Sequence, residues 1–223
     1  MIIAHNAIVH NWNNNQLFEN AKTLILGSFN PHNPNINNTD FYYGRETNYL
    51  WKVIAQLLGY NVNFYLNNLQ NKLDTMNQYK FCFLDVINSI EVTCAQNPEL
   101  EEQYIQNNIL NEFADSKLFT TNTNFQGVNI NITRNYNDDI IEKINANNIK
   151  KVIHTMGNNR ISQGFITNPI EGALGFQGLI NNVLQTNAQF VPESFSPSGR
   201  AVNVGGNAHL MNLSNWIQAN LLA

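Results

Sequence analysis

Four short apolar runs stand out from a chain that is otherwise rich in polar residues, and they lie at residues 23–27, 81–85, 151–157 and 190–192. Within each run, apolar and polar residues do not alternate regularly. Such runs are typical of strands that are covered on both faces, as in a parallel sheet. The pattern therefore predicts four buried strands.

Helical periodicity appears between these runs. Residues 46–58 place apolar side chains on one face, which predicts a helix. Residues 137–139 supply polar groups ahead of Ile140 and predict the capped start of a second helix. Residues 213–222 have the pattern of a C-terminal helix. Alternating strands and helices predict an α/β fold: a three-layer α/β/α sandwich with a central, mostly parallel, four-stranded sheet. No repeat or linker divides the chain, so we expect a single domain over residues 1–223.

Ligands of open α/β sheets bind outside the carboxyl ends of the strands. The segments that follow the four predicted strands are therefore the candidate site. These loops comprise residues 28–43, 85–93, 157–160 and 193–201.

Composition and charge exclude several classes of protein. Asparagine supplies 43 of the 223 residues, and the net charge is −4. An acidic chain does not hold nucleic acid through a broad basic field, although a small local phosphate site is compatible with it. Two cysteines cannot form a four-cysteine metal site. We expect no metal and no cofactor, no membrane association, and a cytoplasmic location, since no signal peptide or long apolar span is present.

The first loop carries amides and aromatic rings in the stretches Gly27-Ser-Phe-Asn-Pro31 and Phe41-Tyr-Tyr-Gly-Arg-Glu-Thr-Asn-Tyr-Leu-Trp51. Its glycines allow close approach of a ligand, or they simply form a turn before a helix with aromatic core residues. Only four arginines occur, and three lie in or beside the predicted loops: Arg45, Arg160 and Arg200. Because arginine suits bidentate contacts with phosphates and bases, these positions favour a local phosphate or base contact; solvated loop residues are the alternative.

These motifs resemble the uracil-DNA glycosylase superfamily, most closely its hypoxanthine (deoxyinosine) and mismatch-specific branches. The similarity consists of scattered motifs over residues 20–220. The hypoxanthine group has Gly-Ser-Phe-Pro after a strand and then Tyr-Tyr-Gly-His-Pro-Arg-Asn-Arg-Phe-Trp; here Tyr42-Tyr-Gly44, Asn48 and Trp51 keep that spacing. The His-Pro pair is replaced by Arg45-Glu46, and Asn30 is an insertion.

The resemblance implies roles for these residues. Either Asn48, as in the hypoxanthine group, or Asn30, as in the mismatch group, would position the catalytic water, and we favour Asn48. Phe29 and Tyr43 would stack on the base. Asp85 in Phe83-Leu-Asp-Val-Ile87 resembles the base-reading position; a carboxylate accepts hydrogen bonds only, which favours an amino or protonated ring-nitrogen edge. A capping role for Asp85 after its strand is the alternative.

The fourth loop, Val191-Pro-Glu-Ser-Phe-Ser-Pro-Ser-Gly-Arg-Ala201, resembles the serine-rich motif of the family. The resemblance implies DNA contacts by Ser194, Ser196, Ser198 and Arg200, together with Arg45. The histidine of the classical uracil enzymes is missing from this loop. An ordinary Ser/Pro/Gly loop is the structural alternative.

The resemblance implies an enzyme: a monomeric, metal-independent DNA glycosylase that flips a base and hydrolyses its N-glycosidic bond, leaving an abasic site. No lysine lies in the motifs, which argues against a lyase. The base would be hypoxanthine, a mispaired pyrimidine or a modified phage base, and the role would be DNA repair by base excision or antiviral defence. The alternatives are a catalytically silent nucleic-acid or nucleotide-binding protein on the same fold, and an enzyme acting on free nucleosides.

Overall fold

The computed structural model describes residues 1–32, 39–108, 122–157, 183 and 185–223. This part of the chain is mixed α/β. Its strands are β1 (Ile2–Ala4), β2 (Thr23–Gly27), β3 (Phe81–Asp85), β4 (Ile87–Thr93), β5 (Asn122–Phe125), β6 (Val128–Tyr136), β7 (Lys151–His154) and β8 (Gln189–Phe190). Its α-helices are α1 (Asn6–Val9), α2 (Leu50–Leu57), α3 (Leu69–Tyr79), α4 (Glu99–Asn108), α5 (Asp139–Ala146) and α6 (Gly199–Leu221).

The four predicted strands form one parallel sheet in the order β3-β2-β7-β8. Every residue of β2 and β3 is buried, which explains the lack of alternation in these runs. In the register, Gly27 lies beside Asp85, and Leu26 lies beside His154. The carboxyl ends of β2, β3 and β7 therefore meet at one edge of the sheet.

A second sheet, which the sequence analysis did not predict, is antiparallel with the order β1-β4-β6-β5. Its strand β6 alternates buried and solvent-facing positions: Ile130 and Ile132 are buried, whereas Asn129, Asn131 and Thr133 are exposed. The predicted single four-stranded sheet therefore accounts for only half of the described strands. Asparagine is depleted in strands, and its abundance here hides a regular two-residue period.

Three helices were predicted, with boundaries that differ from those observed. The helix predicted at residues 46–58 begins only at Leu50. The residues before it form a turn, in which the backbone N–H of Asn48 donates to Arg45 O at 2.8 Å. The helix predicted from residue 213 begins at Gly199 and has a kink at Gly206, where φ is 57°. Helix α5 begins at Asp139 as expected, and Asn137 Oδ1 accepts from Asp139 N at 3.2 Å.

Candidate functional site

The first post-strand loop runs beside the segment that follows β3 at the carboxyl edge of the parallel sheet; the predicted second loop, residues 85–93, is strand β4 from Ile87 onward. Val86 N donates to Gly27 O at 3.0 Å, and Ile87 N donates to Ser28 O at 3.1 Å. A Cβ on Gly27 would come within 2.5 Å of both Asp85 Oδ1 and Tyr43 Oη. Only glycine leaves room for these two oxygen atoms, so Gly27 brings the predicted base reader and a predicted stacking residue together.

The third loop joins this group through Thr155. Thr155 N continues the sheet by donating to Leu26 O at 3.0 Å, and the hydroxyls of Thr155 and Tyr43 are 2.7 Å apart. Tyr43 has a φ of 55°, in the left-handed region that bulky residues rarely adopt. Such strain persists only where surrounding contacts hold it, and it is concentrated at functional sites.

The fourth loop contacts both the first and the third. Ser194 Oγ accepts from Gly157 N at 3.0 Å, and Tyr49 N donates to Pro197 O at 2.8 Å. A Cβ on Gly199 would lie 2.6 Å from Thr47 O, so α6 begins directly against the first loop. All four post-strand segments therefore adjoin one another at this edge, although they are distant in sequence.

Asp85 is paired with His5, a residue that the sequence analysis did not identify. His5 Nε2 lies 2.5 Å from Asp85 Oδ2, and both residues are buried, with 2% and 8% of their surfaces exposed. His5 follows β1 at the start of the chain, and 80 residues separate it from Asp85. No local pattern marks His5, because only the packing of the two sheets brings it to this position.

The hydrogen bonds of His5 define its tautomer. Its Nδ1 accepts from Ala7 N at 2.9 Å, so Nδ1 carries no proton. The proton of the neutral ring is then on Nε2, which donates to Asp85 Oδ2. Asp85 thus accepts a hydrogen bond from His5 through Oδ2, which differs from the simple capping role that was its alternative.

Asn30, the first candidate for positioning water, is engaged on its oxygen. Asn30 Oδ1 accepts from Asn6 Nδ2 and from Arg45 Nη2, each at 3.1 Å. Asn6 N also donates to Asn30 O at 2.9 Å, which ties this loop to the segment that carries His5. Burial lowers the pKa of Arg45, although a guanidinium remains charged at neutral pH. Arg45 therefore lies beside Asn30 as a half-buried cation.

Asn48, the second candidate, is half-buried at the start of α2. Its Oδ1 accepts from Leu50 N at 2.9 Å, which stabilises the first turn of the helix. One lone pair of this oxygen and both amide protons of Asn48 have no partner among the described residues. Asn48 therefore retains more capacity to bind water than Asn30.

The serines of the fourth loop differ in their exposure. Ser194 is fully buried, so its hydroxyl joins two loops and does not face solvent. Ser196 Oγ donates to Ser198 Oγ at 3.2 Å, and Ser198 Oγ caps α6 by accepting from Ala201 N at 3.2 Å. Arg200 is exposed in the first turn of α6, where a phosphate would also meet the positive end of the helix dipole.

Part of the Tyr-Tyr-Gly…Trp spacing has a structural cause. Trp51 Nε1 donates to Tyr42 O at 2.7 Å, and the buried Tyr42 hydroxyl donates to Asn13 Oδ1 at 2.8 Å. Burial raises the pKa of Tyr42 well above its ordinary value, with Asp85 adding to this effect. Phe29 is half-buried, and its ring centroid lies 5.5 Å from that of His5. Of these aromatic residues, Phe29 and Tyr43 remain the candidates for base stacking.

A shallow depression lies on the outer side of the first loop. Its lining includes Tyr43, Arg45, Asn48 and Lys72 but not Asp85, Ser194 or Arg200. The predicted residues are thus neighbours along one sheet edge, whereas the described part of the chain does not gather them around one open pocket. Arg160 and the end of the third predicted loop lie outside the described residues.

Within the described ranges, no group of three or more histidine, cysteine, aspartate or glutamate side chains could hold a metal ion. No helix in the same ranges combines the length and the apolar character that a membrane span requires. The chain matches no family model, no curated protein and no solved structure. Its function must therefore be argued from the geometry of the site.

Proposed function

We propose that this protein is a monofunctional DNA glycosylase, which flips a damaged or modified base and hydrolyses its N-glycosidic bond. The observation that carries the proposal is that Gly27 brings the buried carboxylate of Asp85 and the hydroxyl of Tyr43 together, at a sheet edge where all four post-strand segments adjoin. We also propose that the parallel sheet is the centre of a three-layer α/β/α sandwich. The contacts of α3 with β3 and of α2 with α6 support this arrangement.

In the proposed reaction, the bond between C1′ and the base breaks, and its electron pair leaves with the base. A water molecule then forms the new bond to C1′, and the proton that it loses neutralises the departing base. Asp85 is the group that reads the edge of the base, where its carboxyl oxygen accepts a hydrogen bond. The open lone pair of Asn48 supports this residue as the group that orients the water.

DNA contact is proposed at the start of α6. Ser198 caps this helix, Arg200 extends from its first turn, and Gly199 brings it against Thr47 in the first loop. Arg45 supplies a second cation beside Asn30. A phosphate at this position would lie near both the helix terminus and Asn48. Ser194 supports the loop from within, as its full burial indicates.

The proposal is tested by incubating the protein with labelled oligonucleotides, single- and double-stranded, that contain hypoxanthine, mispaired uracil or thymine, or hypermodified phage pyrimidines. We expect strand cleavage after alkali on at least one substrate, and no cleavage without alkali, because a monofunctional enzyme leaves an intact abasic site. The Asn48→Ser variant is the control. Absence of abasic sites on every substrate would contradict the proposal.

The second candidate is a nucleic-acid-binding protein without catalysis on the same fold. Saturation of Asn30 Oδ1 by two donors favours it, since that oxygen has no lone pair left for water. This candidate predicts binding of the same oligonucleotides without release of a base. The abasic-site assay and a binding measurement on one set of substrates distinguish the two functions.

A further inference from the structure

His5 and Asp85 form a buried unit whose direction is fixed by the backbone. The Ala7 N–H donates to Nδ1 of His5, so the ring can donate only from Nε2, and it donates to Asp85 Oδ2. The backbone of His5 is itself fixed, because His5 N donates to Asn88 O at 2.9 Å and His5 forms a bridge with Pro31. Rotation of the imidazole to offer its other nitrogen would therefore break its hydrogen bonds with Ala7 N and Asp85 Oδ2.

The second oxygen of Asp85 has a different neighbourhood. Oδ1 lies at Gly27 and beside the Tyr43 hydroxyl, at the point where the post-strand loops meet. A carboxylate that rotated freely would present either oxygen, or a proton, to a ligand. Because His5 donates to Oδ2, rotation of the carboxyl group would break this hydrogen bond.

We propose that His5 is a positioning residue that fixes Asp85 as a hydrogen-bond acceptor, with Oδ1 turned toward Gly27 and Tyr43. The inference rests on the proposed function for its substrate: the site takes a base whose edge carries an N–H donor, such as the ring N–H of hypoxanthine or uracil. A base without that donor would leave a buried carboxylate oxygen without a partner, which is costly.

The unit also determines how substitution of Asp85 acts. In Asp85→Asn, the His5 Nε2–H requires the carboxamide oxygen as its acceptor. The amide nitrogen must then take the place of Oδ1 near Gly27. His5 thereby converts this substitution into the replacement of an acceptor by a donor at one position, rather than a mixture of two orientations.

The first test is independent of activity. Long-range ¹H–¹⁵N NMR of the full chain at neutral pH reports which ring nitrogen of His5 carries the proton. We expect the neutral Nε2–H form in the wild-type protein and in Asp85→Asn. An imidazolium, or a proton on Nδ1, would overturn the proposal whether or not the protein releases bases.

The second test compares binding of oligonucleotides that contain hypoxanthine or uracil with binding of those that contain 1-methylhypoxanthine or 3-methyluracil, which lack the ring N–H. We expect the wild-type protein to prefer the unmethylated bases by about 10- to 100-fold, the range for a hydrogen bond to a charged group. His5→Gln, which keeps a donor near the Nε2 position, should retain the preference, whereas His5→Phe and Asp85→Asn should lose it.

Equal preference in His5→Phe and the wild-type protein would overturn the positioning role. If no oligonucleotide bound, the proposed function would fail, while the NMR result would still decide whether His5 holds Asp85. Binding without base release, combined with the expected preference, would support the positioning role and contradict only the catalytic part of the proposed function.

Discussion

The hydroxyl groups of Tyr43 and Thr155 lie 2.7 Å apart and join two loops across 112 residues of sequence. Tyr43 Oη also lies at the point where a Cβ of residue 27 would project, beside Asp85. The loops therefore come closest together at Gly27, where the absence of a side chain leaves room for these oxygen atoms. This relationship makes residue 27 a direct test of the site.

Gly27→Ala should impair both stability and activity. The new methyl group would overlap Asp85 Oδ1 and Tyr43 Oη, and Asp85 cannot move away without losing His5. Overpacking of this kind costs about 1–3 kcal/mol in the free energy of unfolding. Misplacement of site groups by about 1 Å costs about 10²-fold in rate. Urea unfolding and single-turnover base release measure the two effects.

The matched control is Gly59→Asn. Gly59 has a φ of 76° and no atom within 4 Å of its Cβ position, and asparagine tolerates this backbone conformation. We expect little change in either measurement. Wild-type activity in Gly27→Ala would show that the groups at Gly27 do not act together.

Asn48 should be the asparagine that carries the chemistry. Loss of a positioned hydrogen-bonding group costs about 10²–10³ in rate. The single-turnover rate of base release should therefore be lower by that factor in Asn48→Ala. The free energy of unfolding of Asn48→Ala should also fall by about 1 kcal/mol, because this variant loses the hydrogen bond from Leu50 N to Asn48 Oδ1 ahead of α2. Asn48→Ser retains a side-chain oxygen as acceptor and should lose activity with little loss of stability.

Asn30→Ala should lose much less activity than Asn48→Ala, since Asn30 Oδ1 is already engaged by Asn6 and Arg45. Comparison of the two variants under identical single-turnover conditions gives the order directly. The reverse order would assign the water to Asn30 and move the protein toward the mismatch-type branch.

DNA affinity should be local and only weakly dependent on salt. With a net charge of −4, the protein can neutralise few phosphates, so a plot of log K against log salt should have a shallow slope. Arg200→Ala should weaken binding and reduce the slope by about 1. Lys22→Ala is the control, because Lys22 is exposed immediately before β2, at the opposite edge of the parallel sheet. A steep slope that both variants left unchanged would contradict this interface.

His154 should make the protein less stable in acid. Burial lowers the pKa of His154 below its ordinary 6.5, with an opposing effect from its hydrogen bond to Pro192 O. The unfolded chain therefore binds a proton at higher pH than the folded protein does. The free energy of unfolding should fall as the pH decreases below 6.5, and it should level off below the pKa of the folded state.

His154→Gln keeps an N–H for Pro192 O but cannot titrate, so urea titrations should show a smaller decrease for this variant over the same pH range. Equal decreases in the two proteins would contradict the assignment to His154. The Nδ1 atom of His154 has no hydrogen-bond partner among the described residues. Protonation would place an unpaired charge there, which is the physical reason for the expected instability.

The parallel sheet could be predicted because its strands are buried on both faces and consist of unbroken apolar runs, as in β2 and β3. The antiparallel sheet was missed although Ile130 and Ile132 alternate with polar residues in β6. The abundance of asparagine concealed this period, since asparagine is unfavourable in strands and common in turns.

The site was predictable where it depended on sequence position relative to a strand. Asp85 and the residues after Gly27 were identified for that reason, because parallel strands align their carboxyl ends. His5 was not identified, because its role arises from a contact across 80 residues and from the backbone of Ala7. Likewise, Ser194 is buried where its hydroxyl accepts a hydrogen bond from Gly157 N, which belongs to another loop.

Strand β1 pairs with β4 at the edge of the antiparallel sheet, yet the next residue, His5, reaches the end of β3 in the parallel sheet. Edge elements open locally at a lower free energy than central strands do. Opening of β1 together with the contacts of His5 with Asn88 and Pro31 would therefore withdraw the donor from Asp85 while the parallel sheet remained folded. The integrity of the site is thus linked to the stability of this edge segment.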